Sequence, residues 1–136
     1  MSQSIKNKVV ITFGTFDLFH IGHLNILERA SKFGNKLIVG VSSDELNFRK
    51  KSFYPIQNQD SRIKIIHAIK YVDEVFLEES LDLKREYIKK HNADILVMGN
   101  DWTGFFDFCM DLCEVIYLER TKKVSTTNIK EIIKTL

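Results

Sequence analysis

The chain has 136 residues, 44% of them hydrophobic and 28% charged, a size and balance that suit one domain with an ordinary buried core. With 20 Lys and Arg against 18 Asp and Glu the net charge is only +2, too even for a nucleic-acid binder. No apolar run approaches the roughly 20 residues that span a bilayer and no apolar h-region follows the polar start, so neither nucleic acid nor membrane is expected as a partner, and the cytoplasm is the expected location.

In chain order, Val9-Val10-Ile11 reads as a buried strand,. It runs into Gly14, and a helical pattern begins near Gly22, with Leu24, Leu27 and Ala30 on one stripe, Ile26 and Phe33 beside it, and Gly34 as its stop,. Residues 36–41 form a second buried strand. Ser42-Ser43-Asp44-Glu45 opens a short helix, its acids suiting the positive end,. From Asn47 to Gln59 periodicity fades, and Arg49-Lys50-Lys51 with Pro55 reads as a mobile basic loop,. A helix is expected over Ser61–Tyr71, a strand over Val72–Leu77, an acidic connection over Glu78–Asp82, a polar helix over 83–91 and a strand over Ile95–Met98, ending at Gly99,. Val115–Leu118 is the last strand, and Ser125-Thr126-Thr127-Asn128 opens a final helix with Ile129, Ile132, Ile133 and Leu136 on its apolar face,. A helix is also expected between the fourth and fifth strands. Such alternation predicts an α/β fold: a single-domain Rossmann-like parallel five-stranded sheet with helices on both faces. Ligands of such sheets bind beyond the carboxyl ends of the strands.

Three strand ends carry the candidate chemistry. In Gly14-Thr15-Phe16-Asp17-Leu18-Phe19-His20-Ile21-Gly22-His23, a helix N-terminus offers unpaired N–H groups to phosphate, and Gly14 lets a ligand approach the backbone. His20 and His23, at i and i+3, face one ligand together; taken alone the pair also fits a metal pair or two surface histidines. At the second strand end stand Asn100-Asp101-Trp102-Thr103-Gly104. At the third, Arg120 offers a planar fork to pyrophosphate, and Ser125, Thr126 and Thr127 add hydroxyls at a helix N-terminus, which also suits a plain N-cap,. The basic clusters Arg49-Lys50-Lys51 and Arg120-Thr121-Lys122-Lys123 fit a small anionic ligand, or two solvated patches,. Cys109 and Cys113 lack a second Cys or His pair for zinc and read as buried thiols,.

The first string resembles the signature of the nucleotidyltransferase superfamily, and Arg120-Thr121-Lys122-Lys123-Val124-Ser125-Thr126-Thr127 resembles the R-T-x-G-[IV]-S-T-T motif of the cytidylyltransferases, with Lys123 in place of the usual glycine. Tyr71-Val72-Asp73-Glu74-Val75 and Met98-Gly99-Asn100-Asp101-Trp102 are most similar to the glycerol-3-phosphate cytidylyltransferase subfamily. The resemblance, from Val9 to about Ile133, implies transfer of a cytidylyl group from CTP to sn-glycerol 3-phosphate or a similar polyol phosphate, releasing pyrophosphate and supplying a cell-surface polymer. It implies His20, His23, Lys50 (or Lys51) and Arg120 as catalytic, and Gly14, Thr15, Phe16, Gly22, Asp101, Trp102, Ser125 and Thr126 as nucleotide-binding. Arg62, Lys70 and Lys84 are the implied acceptor-binding residues; Mg²⁺ is carried mainly by the triphosphate, with no protein metal site, and a homodimer is implied. Lys70 stands where the family has arginine, and the family's tryptophan near Leu81 is absent, so another phosphorylated acceptor stays open. The alternatives are an adenylyltransferase acting on a sugar phosphate or flavin, and an inactive nucleotide-binding module.

Overall fold

The computed structural model describes residues 7–119 and 126–135. Five strands lie in one sheet: β1 (Val9–Gly14), β2 (Lys36–Ser42), β3 (Glu74–Glu78), β4 (Ile95–Gly99) and β5 (Glu114–Leu118). Their order is β3-β2-β1-β4-β5, and every pairing is parallel. The chain winds outward from β1 through β2 to β3, then crosses back to β4 and β5. The switch point therefore falls between β1 and β4, where open sheets of this kind leave a crevice.

Successive residues of β1 point to opposite faces and feed two cores. Val10 packs with Leu27, Ala30 and Ile66 of helices α1 (Ile21–Ser31) and α3 (Gln59–His67). Ile11 and Phe13 pack on the other face with Ile88 of α4 (Lys84–Lys90), Phe106, Cys109 and Cys113. Both thiols are buried and unpaired, and burial pushes that of Cys113 up to about 11, far from the thiolate that reactivity requires.

The differences from expectation have local causes. The segment from Asn47 is helical: α2 (Asp44–Lys51) starts at the N-cap Ser43, whose hydroxyl accepts the Leu46 N–H, and ends at Ser52 with φ 64°. Its periodicity is faint because only Leu46 and Asn47 of its residues are buried. β3 starts at Glu74 rather than Val72, because the Asp73 carboxylate accepts the Leu37 N–H while its own N–H donates to Leu37 O. Helix α3 begins at Gln59, after the N-cap Asn58. No α-helix joins β4 to β5. That connection is two 3₁₀ turns, Asn100–Trp102 and Asp107–Cys109, pinned by Tyr117, whose phenol accepts the Phe106 N–H and donates to Asp107. Gly34 is not the cap of α1, which closes at Lys32 in right-handed conformation; a Cβ at Gly34 would strike the Lys8 carbonyl. The last helix, α5 (Thr126–Thr135), begins as expected.

Candidate active site

A cleft of about 340 Å³ opens at the carboxyl ends of β1 and β4. It is lined by Gly14, Thr15, Phe16, His20, Gly22 and His23 on one side, Asp101 and Trp102 on another, Lys50 and Lys84 at its base, Lys51 at its rim, and Thr126, Thr127 and Lys130 of α5.

The turn from β1 into α1 is held by side chains. Phe16 and Leu18 both take positive φ, 55° and 51°, a costly conformation for residues with a Cβ. The Asp17 carboxylate between them accepts the N–H groups of Ile56 and Gln57 at 2.8 and 2.9 Å, and the Gln57 side chain accepts the Leu18 N–H. Gly14 serves packing: a Cβ there would lie 2.9 Å from the folded-back Phe16 ring. Both positive-φ residues are thus held in place before the helix starts.

His20 is the N-cap of α1. Its Nδ1 accepts the Gly22 N–H at 3.0 Å, and His23 Nδ1 accepts the His20 N–H at 3.2 Å. The rings stack with centroids 3.8 Å apart. An imidazole nitrogen that accepts carries no proton, so each neutral ring keeps its proton on Nε2. Among the described residues, His20 Nε2 is the buried side-chain nitrogen with no hydrogen-bond partner. Burial lowers the His20 pKa. Burial first, then repulsion by His20, hold His23 down at about 3 against the opposing pull of Asp17. Two neutral N–H donors thus stand at a helix N-terminus, where negative charge on a ligand is favoured.

Folding therefore keeps His23 neutral, whereas the unfolded chain protonates it near pH 6.5. The unfolded state binds more protons below that pH, so this contribution to stability is complete above about 6.5 and is lost as pH falls toward 3, by up to about 1.4 kcal/mol per pH unit. Urea midpoints at about pH 7 and about pH 5 are expected to fall more steeply in the wild type than in His23→Asn, which keeps an acceptor for the His20 N–H and loses the titrating ring.

The C-terminal helix closes the cleft. The Thr126 hydroxyl donates to Asp17 O at 2.7 Å, and Lys130 Nζ stands 3.7 Å from the Asp17 carboxylate. Residues more than a hundred positions apart, the histidine turn and the first turn of α5, therefore share one wall. Arg120 and Ser125, with Lys123 of the same motif, lie outside the described residues.

A profile of the family described as cytidylyltransferase-like matches residues 11–132. The chain belongs to the cytidylyltransferase-like family. It is 50% identical over 125 residues to the glycerol-3-phosphate cytidylyltransferase of Bacillus subtilis, covering 91% of this chain and 95% of that one. It is 47% identical over 126 residues to the protein of the same name from Staphylococcus aureus, covering 91% and 93%. The fold is shared with a lipopolysaccharide core biosynthesis protein from Thermoplasma volcanium, with a TM-score of 0.75 at 23% identity over 85% of this chain and 98% of that one.

Within this cytidylyltransferase-like cleft the sequence-derived candidates divide. His20, His23, Lys50, Thr15, Phe16, Gly14, Gly22, Asp101, Trp102, Thr126 and Lys84 all line it. Lys50 Nζ donates to Ser42 Oγ, and burial lowers its pKa to about 8, while Lys51 is exposed at the rim. Arg62 is 0% exposed, and its guanidinium is spent on the carbonyls of Gln57, Thr15 and Ser42 and on Asp44. Lys70 is exposed outside the cleft, over the Tyr71 ring. Ser42, Asn47, Glu78 and Lys130 also line the cleft, polar residues that no motif in the sequence marks as belonging to the site. Ser42 and Glu78 are the last residues of β2 and β3; the strand-end rule that singled out Gly14 and Gly99 reaches them too.

Proposed function

We propose that this chain transfers the cytidylyl group of CTP to sn-glycerol 3-phosphate. The observation that carries the reading is the meeting, in one cleft, of the stacked histidines, the first turn of α5 and the two lysines Lys50 and Lys84. Its support from kinship is the near-complete mutual coverage with glycerol-3-phosphate cytidylyltransferases at about half identity.

A phosphate oxygen of the acceptor attacks the α-phosphorus of CTP in line. One P–O bond forms, the α–β bond breaks, and its electron pair leaves with pyrophosphate. Such a reaction asks for positioning and for donors where charge grows. The Nε2–H groups of His20 and His23 supply donors at the α-phosphate, and Gly22 lets the ligand close on the backbone. Thr126, with Ser125 and Arg120, holds the β- and γ-phosphates. Asp101 and Trp102 border the base, Thr15 and Phe16 the nucleoside. Lys50 and Lys84 take the acceptor's phosphate, and Arg62 braces the cleft from beneath. Among the described residues no three His, Cys, Asp or Glu side chains are placed to cage a metal. The cleft suits Mg²⁺ carried on the triphosphate, as this hard ion prefers phosphate oxygens and water; bound there, it neutralises phosphate charge. A homodimer belongs to the same reading, with the exposed Phe105, Phe108 and Met110 as apolar material for an interface.

The test is pyrophosphate release with sn-glycerol 3-phosphate, in parallel with CTP and ATP. Release is expected with CTP and not with ATP, and the product should have the mass of CDP-glycerol. Equal or greater release with ATP, or none with CTP and folded protein, overturns the proposal.

A further inference from the structure

At the base of the cleft lies a cluster of charge in which Lys50 and Lys84 serve the reaction as described and Glu78 and Ser42 have no part in it. Glu78 is 1% exposed and so is Lys84. Lys84 Nζ donates to Glu78 Oε2 at 2.6 Å, and sits 3.7 Å from the centre of the Phe13 ring and 4.9 Å from that of Phe106. The other carboxylate oxygen, Oε1, accepts from Ser42 Oγ at 3.4 Å, and that hydroxyl in turn accepts from Lys50 Nζ at 3.2 Å. A single carboxylate thus anchors two ammonium groups, one directly and one through a hydroxyl. All four residues line the cleft. An ion pair removed from water costs more than it returns unless its geometry is good, so as a stabilising device this cluster is a poor choice. As a device for presenting two cations on one wall of a site it is economical.

We propose that Glu78 is a positioning residue for both substrates: bonded to Lys84 and, through Ser42, to Lys50, it holds the two ammonium groups at the base of the cleft where the phosphates of acceptor and nucleotide meet. The inference rests on the transfer reaction proposed above. Glu78 touches neither substrate; it acts by fixing where the lysines point and by keeping them charged. The groups facing Lys50 are Glu78 from β3, Lys51 from its own helix, Lys84 from α4 and Arg62 from α3. Three are cations that disfavour its charge, and Glu78 alone favours it. Burial already brings Lys50 to about 8. Without the carboxylate, burial and three cations remain unopposed, and its proton is lost at lower pH.

The experiment compares wild type with Glu78→Gln, which keeps the side chain's length and its hydrogen-bonding oxygen and removes the charge. Two readouts are taken from about pH 6 to about pH 10: kcat/KM for sn-glycerol 3-phosphate at saturating CTP, and the rate of Lys50 amine labelling in substrate-free protein, followed by mass spectrometry. The variant is expected to approach wild-type kcat/KM near pH 6, and its alkaline fall is expected about one pH unit lower. The Lys50 labelling curve should move by the same amount. A uniform loss at every pH with the labelling curve unmoved overturns the proposal and leaves Glu78 a packing residue. Should Glu78→Gln not fold, Ser42→Ala cuts the link from Glu78 to Lys50 and leaves the buried pair intact. Labelling of Lys50 needs no turnover: a curve shifted to lower pH there supports the proposal, and an unshifted one overturns it. Wild-type protein inactive with CTP and acceptor would instead overturn the transfer reaction, and the labelling result would still stand.

Discussion

His20→Ala is expected to lower turnover at least ~10²-fold while the protein stays folded. In the proposed reaction the ring has two jobs, one at each nitrogen. Nδ1 caps α1 by accepting the Gly22 N–H, a contribution of about 1 kcal/mol against a total stability on the order of 5–15 kcal/mol. Nε2 has no partner among the described residues, and it is the atom left over for a developing phosphate charge, where removing one donor costs about 3 kcal/mol of barrier. The second effect is larger and falls on kcat. His20→Asn separates the two, since asparagine is among the best N-caps but is too short to place a donor where Nε2 stood; it should melt near wild type and remain as slow as the alanine variant. His23→Ala is expected to be of the same order, because the His23 ring stacks on His20 and accepts its backbone N–H. Measurements of kcat by pyrophosphate release, with Tm alongside, decide the matter. A His20→Ala enzyme within about threefold of wild-type kcat takes the histidine out of the reaction.

The parallel sheet was legible in the sequence because its strands are short apolar runs bounded by breakers, and the strand-end rule then points at Gly14–His23, Gly99–Trp102 and Arg120–Thr127, of which Thr126 and Thr127 fall within the described residues. What escaped depended on partners distant in sequence. The φ values of Phe16 and Leu18 are not written in their side chains; they are imposed by Asp17 reaching Ile56 and Gln57. The start of α2 was legible at Ser43-Asp44-Glu45, but its continuation from Asn47 escaped because its exposed face leaves no stripe, and the turns after β4 escaped because a phenol from β5 organises them. Glu78 looked like a solvated charge of an acidic connection, and Lys84 like an acceptor ligand or an exposed lysine on a polar helix. Only the fold shows them paired and buried, because a residue's charge announces its cost of burial but not the partner that offsets it.

Arg62→Met is expected to destabilise the protein by about 3–5 kcal/mol, the cost of breaking a buried ionic network by removing one member. The guanidinium donates to Gln57 O at 2.9 Å, Thr15 O at 2.9 Å, Ser42 O at 2.7 Å and Asp44 Oδ1 at 2.7 Å. Those acceptors sit on four segments: the segment before α3, the turn after β1, the end of β2 and the start of α2. One rigid fork joins these four segments beside the cleft, and the methionine side chain fills its volume without satisfying any of them,. Arg62→Lys keeps the charge but offers a single ammonium point in place of the planar fork, so it should recover only part of the loss. A brace and an acceptor ligand differ in their signatures. If Arg62 gripped the acceptor's phosphate, Arg62→Lys would raise the acceptor KM alone and leave Tm where it was. As a brace it lowers Tm in both variants and raises the KM of CTP and acceptor together, because Thr15 and Ser42 lose their positions at once. Differential scanning calorimetry with KM measured for each substrate separates the two, and an unchanged Tm in Arg62→Met would reject the brace.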